Sequence, residues 1–275
     1  MARLSQNEAL QEIRTAWQLG RPARLEGALL NDLNLTGVDL GGADLRGAKL
    51  HGSNLQSAGL AGAWLNGANL EKAILEGTVL VYAKLNASVL SQAKLVDANL
   101  SHADLREAHM VEATLKRVNL SRAELERATL YGSVLHRVNL EGAYLSHADL
   151  DKTRIIETNM EAANLAHAQF QGALLRDVNL NHANLSHAQL QGAEFDVADL
   201  TYANLSYAQL QGAWLHEVNL KGANLMGAVW DENTTWPFGF SPPPQLVANR
   251  RVAPRRKSSR SKTSKRKQAP RKTSR

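Results

Sequence analysis

Residues 161–180 read EAANLAHAQFQGALLRDVNL, residues 181–200 NHANLSHAQLQGAEFDVADL, and residues 201–220 TYANLSYAQLQGAWLHEVNL. The first and third windows share 12 of 20 residues. Inside each window the chain repeats on a shorter scale, because every fifth residue is large and apolar. That shorter frame runs without a slip from Leu25 to Trp230. Of its 42 positions 36 are Leu, and the others are Met110, Ile155, Met160, Phe170, Phe195 and Trp230. Two residues before each stands a small or β-branched residue, mostly Ala, with Leu33 the one large exception. The residue between them is often Asn or Asp, as in AlaAsnLeu at 68–70 and AlaAspLeu at 103–105.

Neither regular period accounts for this. On a helix, residues five apart lie about 140° from each other, and on a strand they point to opposite faces. Two inward positions in every five instead call for a short extended piece followed by a turn, so the chain has to wind as a coil. The spacing of 20 sets the size of the coil: ValAsnLeu recurs at 118, 138, 178 and 218, and GlnGlyAla at 171, 191 and 211. Four pentapeptides therefore make one four-sided turn. Unit counting gives about ten and a half turns, a rod about 50 Å long at the ~4.8 Å spacing of paired strands. Each Leu stacks on the Leu 20 residues later. At ~1.5 to 3 kcal/mol for each large side chain fully buried, this column is the main stabilising term. The Asn or Asp residues at 99, 119, 139, 159, 179, 199 and 219 form a second column, whose side chains are expected to bond to backbone at a turn.

Both ends of such a stack expose apolar surface and unpaired backbone groups, so both need covers. Ser5 and Glu8 have capping-box spacing, Leu10, Ile13 and Trp17 share a helical face, and Gly20 with Pro22 stops the helix. These signals predict a capping helix at about 6–19. At the other end Trp230, Trp236, Phe238 and Phe240 precede Pro242–Pro244 and read as an aromatic lid. The expected organisation is a cap over 1–20, a solenoid over 21–230, a closing segment over 231–247 and a basic tail over 248–275.

The run of A(N/D)LXX units, such as GADLRGAKL at 42–50 and GANLMGAVW at 222–230, resembles the pentapeptide-repeat family over residues 21–230. WDENTTWPFGF at 230–240 resembles the closing segment of many bacterial, especially cyanobacterial, members. The resemblance implies an all-β, right-handed quadrilateral β-helix, in a family most of whose members have no known biochemical function. It also implies an alternative role, because a subset of the family binds DNA gyrase by imitating duplex DNA with an acidic rod. That subset commonly has Phe at the central position, dimerises through its C-terminus and is acidic overall. Here Leu is nearly universal at that position and the C-terminus is basic.

The net charge of +6 averages unlike segments. Residues 248–275 carry 13 Lys or Arg and no acid, which leaves residues 1–247 at −7. Residues 155–232 alone hold nine acids against Arg176 and Lys221. From these the sequence offers Asp177, Glu194, Asp196, Asp199 and Glu217 as an acidic partner face. The tail offers Arg250, Arg251, Arg255, Arg256, Lys257, Arg260, Lys262, Lys265, Arg266, Lys267, Arg271, Lys272 and Arg275 as a polyanion-binding segment. With almost no apolar content the tail is expected to be disordered. Its cations suit phosphate backbones without sequence preference, or anionic lipid, and it lacks the aromatics that stack on single-stranded bases. It is also expected to reach back to the acidic final coils at low ionic strength.

Enzyme chemistry finds little support. There is no Cys, hence no disulfide or thiolate metal site, and a cytoplasmic setting is the expectation. No stretch approaches the roughly 18 apolar residues of a membrane span, and the N-terminus lacks a secretory apolar region. The chain has no glycine-rich phosphate loop, no HExxH and no GxSxG. All nine His fall at outward positions, and His147, His167 and His187, continued by Tyr207, lie on one line at a spacing of 20. Imidazoles stacked in this way could hold a transition metal. No acid shares the column, however, and a convex surface offers no pocket, so it reads as a solvated ladder of rings. The sequence thus predicts a protein-binding or scaffold rod with neither cofactor nor metal.

Overall fold

The computed structural model describes residues 4–244. Helix α1 (Gln6–Gln18) comes first, followed by a parallel β-solenoid. The most regular side of the solenoid carries seven short strands: β1 (Lys94–Val96), β2 (Thr114–Lys116), β3 (Val134–His136), β4 (Arg154–Ile156), β5 (Leu174–Asn179), β6 (Glu194–Asp199) and β7 (Trp214–His216). They form one sheet in sequence order, each parallel to the next and 20 residues on, as in Leu115 opposite Leu135. This regular sheet covers about six turns, fewer than unit counting gives. Elsewhere each side is too short for an extended strand, and coils are joined by isolated parallel bridges. These fall every five residues and keep the 20-residue register, beginning with Arg24 opposite Asp44. The last one pairs Trp214 with Thr235, where one extra residue takes the closing segment out of frame.

Hydrogen-bond accounting explains the pentapeptide. In the unit Ala183–His187, Ala183 N–H donates to Leu180 O across the corner (3.0 Å). Asn184 N–H donates to Ala163 O one coil back (2.9 Å), and Leu185 and His187 donate one coil forward to Asn204 O (2.7 Å) and Ser206 O (2.9 Å). Only the N–H of Ser186 finds no backbone acceptor, and it donates to Asn184 Oδ1 (3.2 Å). The same Asx bond serves Ser101 from Asn99, Ser121 from Asn119, Asn181 from Asn179 and Thr201 from Asp199. Asn or Asp before the central Leu is therefore the residue that completes the backbone.

The corners hold what the sequence reading did not foresee. The second residue after each central Leu adopts the left-handed region. Gly takes this position in many units, and 26 non-glycine residues, His147, His167 and His187 among them, also have positive φ. Inside, the Leu column and the Ala column form one continuous buried core, with Leu33, Val38 and Ala223 near the two ends only partly covered.

At the N-terminal end the capping box forms, with Ser5 N–H donating to Glu8 Oε2 (2.8 Å) and Glu8 N–H to Ser5 Oγ (3.4 Å). The face turned to the core differs from the expected one. Ala9 and Ala16 are buried with Ile13 packed beside them, whereas Trp17 is 75% exposed and Leu10 faces out. Small side chains let α1 lie close against the flat end of the first coil. At the other end Trp230, Trp236 and Phe240 pack on the core, with Trp236 edge-on to Trp230 and stacked on Phe240, both at 5.4 Å. Phe238, expected in the lid, is fully exposed.

Candidate interaction surface

The five candidate acids share one edge of the solenoid. Glu194, Asp196 and Asp199 lie on β6, Asp177 on β5, and Glu217 directly after β7, with Asp177 and Glu217 at the positive-φ corner. They do not form a bare anionic face. Asp196 Oδ2 accepts from Arg176 Nε (2.9 Å), one coil below it. Glu217 sits 3.8 Å from the His216 ring. Asp199 spends Oδ1 on the backbone N–H of Thr201 (2.9 Å) and on its hydroxyl. Asp177 and Glu194 form no ion pair among the described residues. Further down the same edge, Asp97 pairs with Arg117 through two bonds of 2.6 Å, and Glu157 accepts from Arg137 at 2.6 Å. These partners hold both carboxyls below the usual range, Asp97 through the Arg117 guanidinium and Glu157 through Arg137 and then His136. Along this edge opposite charges one coil apart are paired, Asp97 with Arg117, Arg137 with Glu157 and Arg176 with Asp196. Sequence reasoning summed its charge and missed the pairing, although the spacing of 20 between Arg176 and Asp196 was there to be read.

The imidazoles stack as a ladder. His147, His167 and His187 lie 4.7 Å apart with interplanar angles of 3° and 6°, and Tyr207 continues the stack at 5.0 Å. Ring nitrogens carry their lone pairs in the ring plane, so parallel planes stacked face to face do not aim them at one point. Among the described residues no group of three or more His, Cys, Asp or Glu is placed to hold a metal ion. A second ring column, Tyr82 on His102 and His182 on Tyr202, runs along another corner. The polar columns are also linked laterally. Asn184 Nδ2 donates to Asn164 Oδ1 (3.1 Å), Asn204 Nδ2 to Asn184 (3.2 Å) and Asn224 Nδ2 to Asn204 (3.1 Å). The tail cations from Arg250 to Arg275 lie outside the described residues. No helix among the described residues is long and apolar enough to cross a membrane.

A family profile described as pentapeptide repeats matches eight copies, over residues 23–58, 53–92, 83–122, 93–132, 123–161, 163–201, 179–213 and 193–229. The chain belongs to the pentapeptide-repeat family. Similar solved structures include HetL, a pentapeptide-repeat protein involved in heterocyst differentiation regulation from the cyanobacterium Nostoc sp. strain PCC 7120. HetL is 28% identical over 85% of this chain and 99% of its own, with a TM-score of 0.36. Rfr23 of the cyanobacterium Cyanothece 51142 is 32% identical over 43% of this chain and 63% of its own, with a TM-score of 0.22. QnrB1, a plasmid-mediated fluoroquinolone resistance protein, is 16% identical over 74% of this chain and 94% of its own, with a TM-score of 0.39. Among curated protein sequences none matches.

Proposed function

We propose that this pentapeptide-repeat protein is a non-enzymatic binding rod, a scaffold that presents side chains to a protein partner and is tethered to a polyanion by its basic tail. The observation that carries this reading is the use made of the polar residues. The Asn and Asp of the repeat are spent on corner N–H groups and on one another. What is left for recognition is an exterior whose residues change from coil to coil on a backbone lattice held by coil-to-coil bonds. A protein partner reads such a lattice by shape and by the charges not already paired.

Gyrase binding by imitation of DNA is the weaker reading. Duplex DNA carries one negative charge per ~1.7 Å of its axis. The acidic edge here offers one side chain per coil at each corner position and pairs Asp97, Glu157 and Asp196 with arginines. The test compares the full chain with a form ending after residue 247, since residues 4–244 all fall within one compact unit. The tether reading expects retention on DNA by the full chain alone, falling steeply with salt, and no effect of either form on gyrase supercoiling. Inhibition of supercoiling by the shortened form would favour mimicry and sink the tether.

A further inference from the structure

The sides of the coils are convex, but a cleft of about 630 Å³ opens where the N-terminal cap meets the first coils. Its volume is in the range of small-ligand sites. Trp64 supplies a flat apolar wall, 43% exposed, with the Arg46 guanidinium 5.3 Å and the Lys84 ammonium 4.8 Å from its ring centroid. Leu4 from the cap segment and Pro22 with Ala23 from the first coil complete the apolar lining.

The charges around this wall are unequally committed. Arg21 is bound to Glu12 by two bonds, of 2.6 and 3.0 Å. Arg46 is bound to Asp44 by bonds of 2.8 and 2.6 Å, with Glu26 3.5 Å away. Arg24 makes no ion pair among the described residues. Its backbone N–H donates to Glu12 Oε1 (2.9 Å), and its charge adds to that of Arg21 in holding the Glu12 carboxyl below the usual range, but its guanidinium makes no direct bond to a carboxylate. Three guanidinium groups and two carboxylates line the cleft, with Glu12 held on Arg21 beside it, and Arg24 is the one of the three guanidinium groups that no carboxylate binds directly among the described residues. Arg24, Asp44 and Trp64 are successive rungs of one side. Arg24 and Trp64 thus stand about 10 Å apart along the rod, a span that a phenylalanine-sized molecule bridges.

We propose that this cleft binds an apolar monocarboxylate, either a free aromatic acid or the C-terminal residue of a peptide, with its body against Trp64 and Pro22 and its carboxylate on Arg24. The planar guanidinium matches a carboxylate through two parallel bonds. A second negative charge on the ligand would face Asp44 and Glu26, which selects against dianions.

The probes are N-acetyl-phenylalanine and its carboxamide, and a tetrapeptide ending in Phe with and without C-terminal amidation, titrated calorimetrically into the full chain. Saturable binding of at least one acid is expected, weakened roughly tenfold or more in its amide, as befits loss of a charge-assisted bond. Arg24→Gln is expected to weaken the acid by a similar factor and leave the amide unchanged, and Trp64→Ala to weaken both. The tighter of the two acids identifies the source. Both residues point outward, and unchanged circular dichroism and melting temperature would show that the variants fold. The proposal is overturned if neither acid binds saturably, if acid and amide bind equally, or if either folded variant binds the acids as the wild type does.

Discussion

The phenol ring of Tyr207 lies over Gly227, so close that a Cβ on residue 227 would stand 2.6 Å from its Cδ1 and Cε1. Tyr202 covers Gly222 in the same way. Each aromatic column therefore ends on a glycine. Gly47, at the same corner nine coils earlier and with φ +64°, has nothing within 4 Å of a Cβ. Gly47→Ala should cost only the left-handed conformation, about 1 kcal/mol, which Ala87 and Ala162 already accept. Gly227→Ala should cost clearly more, because the ring has to leave its stack. In a Tyr207→Ala background that excess should vanish, as a double-mutant cycle of urea unfolding would show. Equal losses at Gly47 and Gly227 would refute the contact.

Asn184 serves two functions at once, accepting from Ser186 N–H and from Asn204 Nδ2 through Oδ1 and donating to Asn164 through Nδ2. Asn184→Ala removes all three bonds and leaves a corner N–H unpaired, and should lower stability by about 1 to 3 kcal/mol. Asn184→Asp keeps the acceptor and loses only the donor, so its loss should be smaller at neutral pH. Chemical denaturation of the two variants side by side gives the ranking, and the reverse order would remove the Asx bond as the reason for Asn in the repeat.

His167 is held below the ordinary imidazole range, first by burial between its neighbours and then by the charges that His147 and His187 would carry. The unfolded chain therefore takes up this proton more readily than the folded one. The stability tied to His167 is complete above the free-imidazole value of about 6.5 and is lost as pH falls from there towards the folded value. Melting temperature should drop more between about pH 7.5 and pH 5 in the wild type than in a His147, His167, His187 triple Ala variant. Zinc or nickel should shift the two proteins alike, since the stacked rings do not converge on one ion.

The coil was legible because its period is local: five residues fix which side chains turn inward, and the recurrence of ValAsnLeu and GlnGlyAla fixes the stacking partner. The capping box of Ser5 and Glu8 was legible for the same reason. What escaped the reading depends on neighbours a coil away or on how the ends pack. Left-handed corners are occupied by His, Arg and Glu as well as by Gly, so composition alone hid them. The acidic segment summed to a large charge until Arg176 was placed beneath Asp196. The cleft is lined by Leu4 and Arg21 from the cap segment together with Asp44, Arg46 and Trp64 from the next coils, a juxtaposition that no local period shows.

The column of small inward residues gives the last prediction. Ser53 and Ser133 occupy the same column and both are fully buried. Ser53 Oγ donates to Leu50 O (2.7 Å), and Thr153 in that column does the same to Leu150 O (2.6 Å). Ser133 Oγ has no partner, and neither has Ser88 Oγ in the neighbouring column. A buried hydroxyl without a bond costs roughly 1 to 3 kcal/mol, whereas one that is bonded contributes about 1 kcal/mol net. Ala, the commonest residue at these positions, fits without a polar atom. One substitution should therefore act with opposite signs: Ser133→Ala and Ser88→Ala should raise the unfolding midpoint, and Ser53→Ala should lower it. If Ser133→Ala destabilises as Ser53→Ala does, its hydroxyl has found the Leu130 carbonyl, and the two serines are equivalent members of the core.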